Sequence, residues 1–593
     1  MAENKTSLRD QIEPDDLPLI AEQICVEFDA RKKRRGDAEK NWAEVDRQIA
    51  MIPELSHKTG PDGKPDARKK WMPEVELPLQ AQTLEMLTTD CRRLKFPKGK
   101  DWFKCRAALT QDYIERFSKA SNPIPGERGD NRSNLNQDNG DRLAQGVLSH
   151  FHNQYDFRSH IDKMDAEAIA YSFGVGRLRN VNKRILGHTA KGINMTIPVL
   201  VPRSAKHVYL DDSQSAIMHE GYIIGPNTLQ WKSVKLADLQ VAAKNDKSYI
   251  PEQVSRLKSD KNGEVQIIEL EGDLIYETSQ STIVVRDVVL TAGKGVGDST
   301  TFGMIREEKG EGFSTYVVFD YHMESSISRY GTSPLIKGMP IAKILAQTMN
   351  RLLESGQLKN APPIGYSKDD LAFAGTGGPN IHPHALWPTV DDLNVYDEVG
   401  GDQAVLLATF QGLLALYYDV TGVNPPRLGA QTKSHTTAYA KDVELSQGAS
   451  RTVDFVNSTL DGPLSRFLDL EYRMGRKNWK KQPVFIEAWN EFVILERDHL
   501  PDTVVFKAIG AGAPADDQAE TQRKVSAIQI ASQLDQASVQ FGNQPRIDYG
   551  SLAEKVLQEA GFQDLTEVTV QSAGNGAAGV PQLPGLVSGE VPQ

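Results

Sequence analysis

A chain of 593 residues has the length of roughly three to four domain-sized units, and 39 % hydrophobic with 7 % aromatic content is enough for buried cores rather than a disordered chain. A formal net charge of −11 excludes the concentrated basic face of a sequence-specific nucleic-acid reader, but not DNA that passes without being gripped. The three cysteines, Cys25, Cys91 and Cys105, form no CxxC pair, which fits a reducing compartment and neither a disulfide framework nor a zinc site.

In chain order, the polar N-terminus lacks a signal-peptide pattern, and no apolar run approaches the roughly 18 residues of a membrane span. Synthesis in a cytoplasm without a membrane anchor is therefore expected. Residues 1–53 read as charged helices, and Arg31-Lys32-Lys33-Arg34-Arg35 reads as a solvated helix face rather than a phosphate-binding patch. Residues 55–70 are a loop. Trp71 to Pro78 leads into a helix carrying Leu84, Leu87 and Leu94, which ends at Phe96-Pro97-Lys98-Gly99 before Trp102-Phe103 and an extended segment. Residues 117–140 have loop composition. A long helical region is expected from Asp141 to about Ser172, after which Phe173-Gly174-Val175-Gly176 turns the chain to strands. Residues 177–330 alternate with period two, interrupted by a helix at 234–258. Gly293-Lys294-Gly295-Val296-Gly297 lacks the spacing of a phosphate loop and reads as a hairpin tip.

The centre of the chain is a helix, an excursion, a helix, a loop and a longer helix. Ser333 is an N-cap and Pro334 occupies the first helical position. Ile341, Ile344, Leu345, Thr348 and Leu352 then form one stripe, which stops at Asn360-Ala361-Pro362-Pro363-Ile364-Gly365. A second helix starts at about Asp402, carries Val405, Leu406, Phe410, Leu413, Leu414 and Tyr417, and ends at Thr421-Gly422-Val423-Asn424-Pro425-Pro426. Residues 427–436 are a polar loop. The third helix runs from Thr437 to about Met474 with a kink at Gly462-Pro463. Strands follow at 484–486, 492–495 and 504–506, helices at 516–538 and 551–560, and a disordered tail at 571–593.

No catalytic or cofactor motif stands out. His382 and His384 lack further ligands at metal spacing and read as loop residues without a metal. The carboxylate pairs Asp391-Asp392 and Asp397-Glu398 lie in a solvated stretch. GxSxG, HExxH, Walker A, DFG and EF-hand spacings are absent, so no enzyme activity, metal or cofactor is expected.

Three stretches together resemble the portal proteins, the head-to-tail connectors of tailed double-stranded-DNA bacteriophages, of the short-tailed type. The first is the Trp-Pro entry and helix followed by Phe96-Pro97-Lys98-Gly99 and Trp102-Phe103. The second is Ala170-Tyr171-Ser172-Phe173-Gly174-Val175-Gly176-Arg177-Leu178. The third is the ordered series Tyr330-Gly331-Thr332-Ser333-Pro334-Leu335, Asn360-Ala361-Pro362-Pro363-Ile364-Gly365, Thr421-Gly422-Val423 and Thr436-Thr437-Ala438. The resemblance spans roughly residues 70–510.

It implies an α+β portal fold with a mixed α/β wing (1–330), a first stem helix (331–357), a clip (358–401), a second stem helix (402–422) and a tunnel loop (423–436). A channel-side helix returning to the wing (437–510), a helical crown (511–570) and the tail (571–593) complete it. Ile341, Ile344, Leu345, Leu352, Leu406, Phe410, Leu413 and Tyr417 would pack the stem. His382, His384, Trp387, Asp391 and Asp392 would serve docking at the clip. Asn424, Arg427, Gln431, Lys433, Ser434 and His435 would line the tunnel loop. The implied assembly is a dodecameric ring at one capsid vertex of the virion, made in a bacterial host cytoplasm. Its partners would be the terminase motor, tail adaptor and head-completion proteins, major capsid and scaffolding proteins, and double-stranded DNA held non-specifically in the channel. Genome packaging, ejection and tail attachment are the implied functions. Two other classes fit the composition: a capsid-associated nucleic-acid-processing enzyme with a mixed α+β body, and a non-viral scaffolding oligomer.

Arg427, Lys433 and His435 would either touch passing phosphates without reading sequence or pair with acidic groups of adjacent subunits. Replacing Lys433 by Glu separates the two. A contact predicts less DNA per particle, and unchanged packaging counts against it.

Overall fold

The computed structural model describes residues 16–53, 71–96, 102–119, 137–185, 193–210, 217–219, 222–224, 228–277, 282–295, 301–309, 314–321, 330–367, 382–389, 394–395, 402–423, 451–486 and 491–510. The chain divides into two units, residues 1–97 with 101–515 and residues 98–100 with 516–593. The second unit lies wholly outside the described residues, and with it the expected crown helices and tail. The loop at 55–70, Asn424 to His435 and the start of the third central helix also lie outside them. The described fold is a mixture of α and β, as the α+β expectation requires.

The N-terminal helices are α1 (Leu17–Arg34) and α2 (Gly36–Ile49). Leu17, Ile20, Ala21, Ile24, Cys25 and Phe28 recur at helical spacing on α1 and are buried. They cover one face of a five-stranded antiparallel sheet in the order β10-β9-β8-β7-β4, formed by Thr301–Lys309, Thr282–Gly295, Glu264–Glu277, Thr228–Lys235 and Val208–Tyr209. Leu229, Ile268, Leu270, Leu290, Ala292 and Met304 supply the apolar face of that sheet. Gly293 and Gly295 are the last residues of β9, with Gly295 paired to Thr301 of β10, so the glycines belong to a hairpin as expected.

The basic run at 31–35 is only partly the solvated face expected. Arg31 and Arg35 are buried, while Lys32, Lys33 and Arg34 face water. Arg35 donates from Nη1 to the carbonyls of Val208 (2.7 Å) and Ala205 (3.1 Å) and from Nη2 to that of Lys206 (2.6 Å). Its Nε and Nη2 also reach Glu39. The guanidinium lies 3.6 Å from the Tyr209 ring centre and 5.0 Å from that of Trp42, so its flat faces are covered by aromatic rings.

The largest core gathers α3 (Leu79–Lys95), α5 (Gln137–Gln154), α6 (Phe157–Tyr171) and the C-terminal elements around a three-stranded antiparallel sheet, β11-β2-β3. These strands are Tyr316–Asp320, Phe173–Ile185 and Ile193–Arg203. The helical region expected from Asp141 to about Ser172 is present as two helices. Asp156 breaks it, because its carboxylate accepts from Ser159 N (3.3 Å) and caps α6. Residues 117–140 are only partly loop: α4 (Gln111–Lys119) reaches in from one side and α5 starts at Gln137. The helix expected at 234–258 is also divided, into α7 (Leu236–Asn245) and α8 (Pro251–Arg256), with Asp246 bonding Ser248 between them.

Inside the main core Lys95 Nζ meets Asp165 Oδ1 at 2.5 Å, both fully buried, with the ammonium 4.5 Å from the Phe319 ring. Burial outweighs the attraction of Lys95 and holds the Asp165 carboxyl above the ordinary range. Two strands far apart in sequence close this body: β1 (Phe103–Ala107) pairs antiparallel with β17 (Val504–Ala508). The hairpin β15–β16 (Gln482–Ile486, Glu491–Leu495) also packs on it. At the position of the expected kink the helix carries a π-helical turn, Leu460–Leu464, which contains Gly462 and Pro463. It joins helix α11 (residues 451–459) to α12 (Ser465–Lys477).

Because three carbonyls depend on one guanidinium fork, Arg35→Lys is expected to destabilise the protein by about 3 kcal/mol although the charge is kept. Urea unfolding followed by circular dichroism measures this. An unchanged midpoint would remove Arg35 from its structural role.

Candidate assembly surface

The central helices are α9 (Pro334–Asn360) and α10 (Gln403–Thr421), with a small sheet between them. Ser333 caps α9 as its sequence implies, accepting from Ile336 N at 3.1 Å. The same hydroxyl donates to Ala170 O (3.1 Å), which pins the start of α9 to the end of α6. Asp402 caps α10 through Ala404 N (2.9 Å). Gly422 ends α10 at φ 74°, the left-handed conformation in which a side chain is strained. Arg451 of α11 then donates to Val420 O (2.9 Å), satisfying one terminal carbonyl.

The two helices meet at close range. A Cβ on Gly338 would lie 2.7 Å from Thr421 Cγ2 and 2.9 Å from Tyr417 Cε2, so only glycine lets them approach this closely. Tyr417 is fully buried, its hydroxyl 2.9 Å from Thr83 Oγ1 of α3, and burial pushes its phenol above the ordinary range. Leu345 and Tyr417 are buried together with Ala342 and Leu79, and Ile341, Phe410 and Leu413 pack against them. Leu352 and Leu406 are half-buried. Ile344 does not take part in this contact within the chain. It is 47 % exposed, because the α9 stripe is wider than the face α10 covers.

The extended stretch after Trp71 lies on α9. Val75 N donates to Asn350 Oδ1 (2.9 Å), and Asn350 Nδ2 donates back to Val75 O (3.2 Å). Gln80 of α3 donates to Leu335 O (3.1 Å). The entry segment, the end of α6 and the α9–α10 pair thus converge on one site, although they are up to about 340 residues apart by the sequence numbers themselves.

The excursion between α9 and α10 forms a sheet within one chain, in the order β13-β12-β14. The strands are Ile364–Ser367 for β12, Leu386–Thr389 for β13 and Asn394–Val395 for β14. His382 precedes β13, with its Nδ1 2.9 Å from Pro383 O, and is half-buried. His384 is exposed at φ 56°, and Trp387 sits on β13 opposite Gly365. Asp391 and Asp392 lie outside the described residues, as do Asn424, Arg427, Gln431, Lys433, Ser434 and His435.

The outward face of α10 was not anticipated. This helix has the length and apolarity of a membrane span, with mean hydropathy 1.3 over its most apolar stretch, of which only 11 % is buried. It corrects the expectation that no apolar run approaches that length. Val405, Leu407 and Leu416 face outward, Val405 being 60 % exposed. Residues 403–418 contain no Asp, Glu, Lys, Arg or His, which is the sequence signal for this face. The solvated helix α12 of the same chain shows the usual contrast, with Arg466, Arg473 and Lys477 at its exposed positions. A second apolar surface lies on β16, where Phe492 and Ile494 are exposed and Phe492 contacts Phe485 at 5.2 Å between ring centres.

No protein-family model matches the chain, and no curated protein matches it in sequence.

Gly338→Val is expected to destabilise the α9–α10 contact by about 2 kcal/mol through overpacking, and adding Thr421→Ser, which removes the opposing methyl, should recover part of it. Thermal unfolding of the two variants measures both effects. No loss on the first substitution would mean that the helices do not meet at Gly338.

Proposed function

We propose that this chain is a phage portal subunit, which closes with copies of itself into a dodecameric ring through which the genome is packaged and released. The observation that carries the proposal is α10, an apolar helix that the described residues leave uncovered. Leaving such a face in water costs about 25 cal/mol for each Å² of apolar surface, so the soluble state favours a partner that covers it. A second copy is the occupant that a ring supplies at every subunit. Head-to-tail closure needs two different surfaces on one subunit, and the α10 face and the Phe492/Ile494 face of β16 meet that requirement.

Two further features support this function. The stretches that carry the portal resemblance, remote in sequence, meet at Ser333, Gln80 and Tyr417. The order of helix, small sheet and helix is that of a stem, a clip and a returning stem. On this assignment α9 and α10 form the stem and β12–β14 the clip that receives the terminase motor and later the tail adaptor. The net charge of −11 per copy keeps the channel wall from gripping DNA. The chemistry of packaging belongs to the motor, so the subunit itself needs no catalytic residue.

Negative-stain electron microscopy of the purified full chain tests this, together with Leu407→Glu and Leu416→Glu, which place charge on the outward face of α10. Rings with a central hole are expected for the unmodified chain, and folded monomers for the variants. Monomers of the unmodified chain at high concentration, or its partition into lipid vesicles instead of rings, would overturn the proposal.

A further inference from the structure

The sheet β10-β9-β8-β7-β4 is amphipathic, and α1 covers only its apolar face. The strand registers put Gln230 and Lys232 of β7, Glu269 and Glu271 of β8, Thr291 of β9 and Arg306 of β10 on the opposite face. An exposed antiparallel face normally meets water. Here it meets the sheet β11-β2-β3, whose facing residues are Tyr316, Arg177, Arg179 and Arg203. The two sheets are joined through charge. Arg177 donates to Glu269 and, at 2.8 Å, to Glu271. Tyr316 donates to Gln230 (3.0 Å), and Thr315 donates to Glu271 from its amide and, at 2.7 Å, from its hydroxyl.

Toward solvent this seam has more cations than its carboxylates can serve. Glu269 is shared by Arg177, by Arg179 (3.3 Å) and by Lys232 (3.6 Å), and Glu271 is already held by Arg177 and Thr315. Arg203 Nε is buried with no hydrogen-bond partner. Arg306 is occupied by Ser248 (2.9 Å), Glu308 and Asp246. Among the described residues the seam therefore sets Arg177, Arg179, Arg203 and Lys232 against two carboxylates. The side chains of Arg179 and Lys232 are 38 % and 28 % exposed, whereas that of Arg177 is 6 % exposed and forms the floor.

We infer that the open end of this seam, formed by Arg179, Arg203 and Lys232, binds an oxyanion of the phosphate class. Two guanidinium groups offer paired donors to tetrahedral oxygens, the ammonium adds a point charge, and the unpartnered Nε of Arg203 is a donor still to be satisfied. The field at the site is consistent with this. Burial first, then Arg179, Arg203, Arg177 and Arg306, pushes the Lys232 amine down to about 7. An arriving anion would relieve that repulsion, and the acidic balance of the whole chain makes a local cationic excess stand out. The ligand is either a free phosphate or the phosphodiester backbone of a nucleic acid. The site lies on strands remote from α10 in sequence and does not depend on ring formation.

The test uses the purified full chain at constant ionic strength, with inorganic phosphate in one arm, a short double-stranded DNA in another and chloride as the control. The thermal midpoint and the rate at which acetic anhydride modifies Lys232, read by peptide mass spectrometry, are both followed. Phosphate is expected to raise the midpoint and to slow Lys232 acetylation severalfold, and Arg203→Gln to lose both effects. Protection by phosphate alone assigns a free anion, and protection by DNA assigns the backbone. Lys232 protection in the unmodified chain needs no variant to fold. Equal acetylation in all arms, or an undiminished midpoint rise in Arg203→Gln, would overturn the site.

Discussion

The guanidinium of Arg35 ties the N-terminal helices to the five-stranded sheet. It sits at the elbow between α1 and α2, takes three carbonyls from the residues leading into β4, and stacks on Tyr209. Trp42 and Tyr330 complete the cage, and Tyr330 stands three residues before the cap of α9. The registration of the N-terminal helices on the five-stranded sheet and the starting point of the central helices therefore share one constraint. Carbonyls left without that fork would each carry a desolvation cost inside the protein.

From that anchor the central helices are placed by polar contacts at their ends and apolar contacts along their length. Ser333 fixes α9 to α6, Gln80 and Tyr417 fix α9 and α10 to α3, and Gly338 sets how closely the pair approaches. None of these contacts uses the outward side of α10. The rigidity of the pair and the bareness of that side are consequences of the same packing, since every strong contact points inward.

Much of this was legible in the sequence, for a local reason. N-caps, the terminal glycine of α10 and the turn at Gly462-Pro463 are set by residues within a few positions of where they act, and strand alternation is local as well. Arg35 was illegible because its partners lie about 170 residues away, and in one dimension a buried arginine looks like its solvated neighbours Lys32 and Lys33. The helical character of 141–172 was legible, but where it divides depends on the Asp156 side chain folding back to cap α6. The burial of Leu345 and Tyr417 followed from periodicity, whereas the exposure of Ile344 depends on how wide a face the neighbouring helix covers. The uncovered side of α10 was signalled by a run of residues without charge, a feature that a search for apolar stripes passes over.

The pairing of β1 with β17 bears on the order of events at the ribosome. Phe103 and its neighbours are made early, but their strand partners, residues 504–508, emerge about 400 residues later. At elongation rates of roughly 5–20 residues per second, that gap lasts on the order of tens of seconds. Throughout it the edge of β1 lacks its partner strand, although Trp102 and Phe103 already have Phe96, His152 and Phe157 to pack on. The main core is thus closed only once residues 504–508 have joined it.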